Sequence, residues 1–286
     1  MTPPAPDLHQ QYRDVLRAAN RADRTVGAYL GALRQFEEFL ERQPLAKAGP
    51  HELGDYLTHL AAEDKSDSTI RVATYAVRGF LRSVLERDDW NQTRLPRPRR
   101  PRRLPEIPNA EEVEAILDAA PSSKYRVAFM TLYGCGLRTD ELLHLQPHHI
   151  DAQRMVIRVE LGKGSKDRDV VLPKRLLPEL RQCWRQYQPQ RYLFEGTRPG
   201  QPMADTSLQR AFRQAREKAG INKRLAPRSL RHACATHLVE DGTSLRKVQA
   251  LLGHQSLSTT TIYTHLATNW LSEVTSPLDK LDPPKA

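Results

Sequence analysis

Four polar residues near the end of the chain have the chemistry to act on a phosphodiester: Arg228, Arg231, His254 and Tyr263. They lie within LAPRSLRHACATHLVEDGTSLRKVQALLGHQSLSTTTIYTHL, residues 225–266. Guanidinium groups match phosphate oxygens through planar, paired hydrogen bonds. A tyrosine hydroxyl beside the same phosphate is a potential covalent nucleophile. Singly, each is an ordinary helix residue. Chemistry requires that they converge.

Three short helices are expected to bring them together. The first follows Pro227, turns its apolar face inward through Leu230, Ala233, Cys234 and Leu238, and stops at Gly242. The second runs from about Ser244 to Leu252, with Gly253 as its C-terminal cap. The third opens near Ser256 or Ser258, whose hydroxyls suit the free amides of a first turn. Each polar residue thus falls at or near a helix end.

This pattern resembles the C-terminal boxes of the tyrosine recombinases, the phage-integrase and Xer family: H-x-L-R-H, then L-G-H, then a tyrosine. Leu230-Arg231-His232 corresponds to the first, Leu252-Gly253-His254 to the second and Tyr263 to the nucleophile. The intervals, 23 residues from Arg231 to His254 and 9 from His254 to Tyr263, are similar to those of the Xer branch. One position departs: Arg228 stands where the family has the histidine of H-x-x-R.

Upstream, Leu132-Tyr-Gly-Cys-Gly-Leu-Arg-Thr-Asp-Glu-Leu-Leu-His-Leu145 reads as a helix broken at Gly134 and Gly136, then restarted near Thr139. Asp140 and Glu141 occupy its favourable first turn. It resembles the family's first-arginine box, which makes Arg138 a phosphate ligand and Glu141 a structural residue that fixes the box. The β-rich runs 155–161 and 168–173 flank Gly162-Lys163-Gly164-Ser165-Lys166-Asp167, the pattern of a hairpin. In the family, the lysine of that G-K-G loop reaches the minor groove beside the cleaved bond. Lys163 matches it, with Lys166 in reserve.

Lysine plus arginine exceed aspartate plus glutamate by 44 to 34, a net charge of +10 that suits a polyanionic partner. Cys135, Cys183 and Cys234 are widely spaced and lack C-x-x-C pairing, so neither a disulfide framework nor a structural zinc site is implied. No signal peptide or 18-residue apolar run is present, and the expected location is cytoplasmic, associated with the nucleoid.

Residues 1–8 read as a loose arm. A helical region follows to about Asp89, with stripes from Val26 to Leu40 and from Ile70 through Tyr75 to Val84. The resemblance makes residues 1–93 a core-binding domain, whose Arg71, Arg78 and Arg82 would meet DNA. RLPRPRRPRR, residues 94–103, holds six arginines and three prolines and reads as an extended linker within 94–107. Its Arg97, Arg99, Arg100, Arg102 and Arg103 are candidates to follow a phosphate backbone. Residues 108–286 then form the catalytic domain, opening on a capping box at Asn109 and Glu112. Helices at about 174–188 and 206–219 complete its core, the former through Leu176, Leu177, Leu180 and Trp184; Arg210, Arg213, Arg216 and Lys218 lie on the opposite face of the latter. The fold expected is mainly α with a small β-sheet.

The resemblance implies a site-specific recombinase that uses neither metal nor other cofactor. Tyr263 would attack the phosphodiester and form a 3′-phosphotyrosine link. Arg138 and Arg231 would stabilise the transition state and Lys163 would protonate the departing 5′ oxygen. His254 would bind the phosphate or position the nucleophile. The partner would be duplex DNA with an inverted-repeat core site, held by a homotetramer, with or without a related recombinase. An amphipathic segment at Leu266, Trp270, Leu271 and Val274 would dock on a neighbouring protomer or pack on its own domain. Two alternatives remain: a type IB topoisomerase, which shares the chemistry, and a silenced DNA-binding protein, because Arg228 cannot serve as a base.

Overall fold

The computed structural model describes residues 7–41, 43–87, 106–160, 167–253 and 260–261, and the chain divides into two compact units, 1–103 and 104–286.

The first unit is built from four helices: α1 (Leu8–Ala18), α2 (Asp23–Phe39), α3 (Pro50–Ala62) and α4 (Asp67–Ser83). The Asp7 carboxylate accepts the His9 and Gln10 amides, so Leu8 belongs to a capped helix rather than to a loose arm. Ser66 caps α4 through the Thr69 amide at 3.1 Å. Leu33, Phe36, Val77 and Phe80 meet in a core with no exposed surface. Tyr12 joins them edge-on to Phe80 and sends its hydroxyl to the Ala76 carbonyl at 2.8 Å, which satisfies the polar end of a buried ring. Tyr75 does not follow the expected stripe. It is 57% exposed, because the buried face of α4 runs through Ile70, Ala73, Val77, Phe80 and Leu81.

The second unit wraps α6 (Ser123–Cys135), whose Val127, Ala128, Phe129 and Leu132 are all buried. A helix apolar on every side belongs in a core, not at its edge. Around it lie α5 (Ala110–Asp118), α7 (Thr139–Leu143), α8 (Leu176–Tyr187), α9 (Asp205–Lys218), α10 (Pro227–Glu240) and α11 (Leu245–Leu252). The Asn109–Glu112 capping box forms as expected, at 2.8 and 2.9 Å. The core stripe of α8 is Leu176, Leu180 and Cys183. Trp184, expected within it, sits one residue off that line and is 47% exposed. Arg216 also departs from the solvent face of α9: it is half-buried and donates to the Lys223 carbonyl and to Glu217. Cys135, Cys183 and Cys234 are buried and unpaired.

A three-stranded antiparallel sheet completes the unit in the order β1 (Ile150–Asp151), β2 (Val156–Val159), β3 (Arg168–Val171). Ile157 pairs with Val170 and Val159 with Arg168. Ile157, Val159 and Val170 turn into the core while Arg158 and Val171 face out, the period-two alternation of a half-buried sheet. β2 and β3 are the two runs expected from sequence. β1 was not expected; two residues carry no period. Among the described residues, no helix is long and apolar enough to cross a membrane.

Candidate active site

Gly136 ends α6 in the left-handed conformation, φ +60°, and a Cβ there would lie 3.1 Å from Leu252 and 3.4 Å from the Cys234 sulfur. The left-handed conformation favours glycine, and a side chain there would also have to push Leu252 aside. The turn it makes sets Arg138 at the N-cap of α7. Arg138 is held at both ends by one carboxylate: its amide donates to Glu141 Oε2 at 2.8 Å and its Nη1 to Oε1 at 2.7 Å.

Glu141 is almost fully buried and serves further cations. Arg168, the first residue of β3, grips it through two parallel bonds, Nη1 to Oε1 at 2.9 Å and Nη2 to Oε2 at 2.8 Å. Arg231, on the first turns of α10, places Nη1 3.7 Å from Oε2. Burial raises the Glu141 carboxyl. The Arg168 and Arg138 hydrogen bonds outweigh it and hold the group at about 2.

The same arginines cap the last turn of α11. Arg168 Nε donates to Leu251 O at 3.0 Å, Arg231 Nη2 to Leu252 O at 2.7 Å and Arg138 Nη2 to Gly253 O at 3.1 Å. Those carbonyls lack partners within a helix and carry its negative end, so cations are favoured there. Arg231 also reaches Gly136 O at 2.6 Å, tying α10 to the turn before Arg138. The arginine box, α10 and the end of α11 are thereby fixed to one another. With Glu141 as the shared carboxylate, the Arg138, Arg168 and Arg231 guanidiniums retain an excess of positive charge, and Arg138 is 42% exposed. An anion approaching Arg138 would complete the balance.

Of the residues singled out in the sequence, Arg138 and Arg231 come together here. Arg228 lies exposed on the first turn of α10, one turn before Arg231. Half-buried His232 follows; burial, then Arg231 and Arg228, keep its imidazole below the ordinary value and hence neutral at pH 7. Lys163, Lys166, His254 and Tyr263 lie outside the described residues, as do the linker arginines Arg97, Arg99, Arg100, Arg102 and Arg103 and the tail segment from Leu266 to Val274. Arg71, Arg78 and Arg82 are exposed on α4 and share one face with the displaced Tyr75, at helical spacing.

His148, His149 and Glu160 bring possible metal-ligand atoms within 4.8 Å of one another. His149 Nδ1 accepts the Gln146 amide at 3.2 Å, which leaves the proton on Nε2, facing Glu160 at 3.6 Å. With its proton on Nε2, the neutral His149 ring has no free lone pair to offer a metal there.

Comparison with known proteins places the whole of this fold in a family. Residues 108–269 match the profile of the phage integrase family and residues 8–91 that of the phage integrase N-terminal SAM-like domain. The chain belongs to the phage integrase family, the tyrosine recombinases. It is 38% identical to a putative integrase/recombinase, y4qK, of Sinorhizobium fredii over 99% of this chain and 91% of that protein. It is 32% identical to tyrosine recombinase XerA of Thermococcus kodakarensis over 93% of each. Among solved structures, XerA recombinase aligns at 28% identity with TM-score 0.56, covering 93% of this chain and 95% of that one. A lambda integrase dimer bound to a COC′ core site aligns at TM-score 0.72 and 20% identity, over 90% and 93%, and shares the fold. This family member is therefore a site-specific DNA recombinase, an enzyme that cuts and rejoins DNA. Arg168, which no local signal marks, is the residue at this site that reading the sequence missed.

Proposed function

We propose that the chain cuts and rejoins duplex DNA by two successive transesterifications through a covalent 3′-phosphotyrosine, with no metal ion in the chemistry. Tyr263 supplies the attacking oxygen and gives up its proton to His254, water or a phosphate oxygen, and the scissile phosphorus exchanges its bond to the 5′ oxygen for a bond to Tyr263. Arg138 and Arg231 stabilise charge on the equatorial phosphate oxygens, the main task in phosphoryl transfer. Lys163 gives a proton to the departing 5′ oxygen. His254 follows directly on Gly253, whose carbonyl is bound by Arg138, and it binds the phosphate or orients Tyr263. Because the phosphotyrosine retains the energy of the broken bond, a 5′ hydroxyl from a second strand can reverse the step. Residues 1–93, the linker 94–107 and residues 108–286 clamp an inverted-repeat core site between them, and four protomers assemble at synapsis.

The observation that carries this reading is the convergence of Arg138 and Arg231 on Glu141 and the last carbonyls of α11, next to the segment that leads to His254 and Tyr263. A nicked duplex that loses its short 5′ fragment after cleavage tests it. Wild type should accumulate a protein–DNA adduct, and Tyr263→Phe should bind DNA without forming one. An undiminished adduct in the variant rejects Tyr263 as nucleophile. Joining of two different duplexes, rather than relaxation of one supercoiled circle alone, separates recombination from type IB topoisomerase action.

A further inference from the structure

Arg168 stands at the first position of β3, just past the segment that contains Lys163 and Lys166. Each of its three guanidinium nitrogens donates: two to the Glu141 carboxylate and Nε to the Leu251 carbonyl. The side chain is only 9% exposed, in the company of two other guanidiniums. Burying a third cation there is a poor way to gain stability alone, since apolar replacements of buried ion pairs are often neutral or better.

Its stem is equally confined. A Cβ added at Gly253 would lie 2.9 Å from Arg168 Cδ, 3.0 Å from Nε and 3.1 Å from Cζ, and Gly253 has φ +62°. The backbone of the residue before His254 is therefore pressed against the Arg168 side chain with no room for a methyl group. Glu141 Oε1 also accepts from Arg138, so a shift of Arg168 passes through a single oxygen to the first-arginine box.

We propose that Arg168 is a positioning residue for DNA cleavage: it locks β3 to Glu141 and the end of α11. Arg138, the start of β3 and the end of α11 then keep one register. Arg168 does not touch the substrate. A lysine cannot replace it, because an ammonium is a point donor without the planar fork that spans both carboxylate oxygens. This inference rests on the cleavage reading above.

The test uses the full chain with Arg168→Lys, Arg168→Met and Gly253→Ala. The probes are nicked duplexes tiled across the DNA flanking the coding region, with adduct rate, DNA affinity and Tm measured from about pH 3 to 9. Arg168→Lys should lower the single-turnover adduct rate about 10²-fold, the scale of a misplacement near 1 Å, with DNA affinity within about threefold of wild type. Arg168→Met should in addition raise the acid limb of the rate profile. Glu141 then keeps Arg138 and Arg231 as counter-cations but loses its bidentate partner, with Asp140, His144 and Asp167 nearby. Gly253→Ala crowds Arg168 without removing it; it should slow cleavage too, and combined with Arg168→Lys it should add less than the product of the single effects.

Wild-type cleavage in Arg168→Lys overturns the proposal. So does a loss that only tracks Tm and DNA affinity while the acid limb stays in place. Should the Arg168 variants fail to fold, Gly253→Ala decides, and an unaltered rate there rejects it. If wild type binds the duplexes and no adduct forms, the cleavage reading itself fails and this inference falls with it.

Discussion

Glu141 binds Arg138 twice: Oε2 accepts the arginine's backbone amide at 2.8 Å, and Oε1 accepts its Nη1 at 2.7 Å. One buried carboxylate thus sets both where the residue starts and where its guanidinium ends. Arg168 and Arg231 attach β3 and α10 to the same group, which makes Glu141 the hub of the site although it does not face solvent. Its contacts are with the arginines it aims.

Replacing Glu141 by Gln keeps the shape and removes the charge. The clustered guanidiniums would then lack their buried counter-ion, and one amide hydrogen would point at a donor. Breaking one side of a buried ion pair costs about 3–5 kcal/mol. For a unit of this size that lowers Tm by roughly 6–20 °C. Calorimetry of Glu141→Gln checks this, and a Tm close to that of wild type would mean that the arginines hold their places without it.

The depressed carboxyl of Glu141 fixes a pH window. A group whose folded value lies below its unfolded one gives stability that is full above the unfolded value and lost as pH falls through the folded value. Glu141 is held at about 2, against an unfolded carboxylate near 4.3. Its contribution should be intact at pH 6 and decline between about pH 5 and pH 2. Tm measured against pH for wild type and Glu141→Gln should converge across that range. A gap that persists down to pH 2 would assign the difference to packing.

How the sequence bears on this follows from particular residues. The Gly136 turn, the Asn109–Glu112 capping box and the α10–α11 boundaries depend on neighbours a few positions apart, and all are legible. Arg168 is not: its partners lie 27 and 83 residues away, and R-D-V-V alone looks like the solvent edge of a strand. Spacing alone puts Tyr75 and Trp184 in the core because a helical stripe is broad, and its flanks are decided only by the packing helix. Tyr75 instead joins Arg71, Arg78 and Arg82 on one exposed face of α4.

If that face and the linker both meet DNA, their contributions to affinity should be separable. Changing Arg99, Arg100, Arg102 and Arg103 to Ala should weaken binding and reduce the slope of log affinity against log salt by about 0.9 for each phosphate that is no longer neutralised. Tyr75→Ala removes apolar area but no charge, so it should weaken binding at every salt concentration with an unchanged slope. Filter binding between about 50 and 200 mM salt distinguishes them. An unaltered slope in the linker variant would make that stretch a spacer.

Arg228 occupies the position where the resembling motif has histidine, and it lies exposed on the first turn of α10. An arginine there cannot take a proton from Tyr263, but it can donate to a phosphate oxygen. Neutral His232 stands one turn further along the same helix. If Arg228 is a phosphate ligand, Arg228→Ala should slow adduct formation by about 10²–10³, the effect of losing one transition-state donor. Arg228→His would restore a proton acceptor. Should wild type and Arg228→His both cleave while Arg228→Ala is impaired, the position requires a donor and either residue supplies it. Cleavage by Arg228→His with none by wild type would identify a recombinase silenced at this residue. Cleavage by Arg228→Ala at the wild-type rate would remove Arg228 from the site and leave Arg138 and Arg231 as its phosphate-binding arginines.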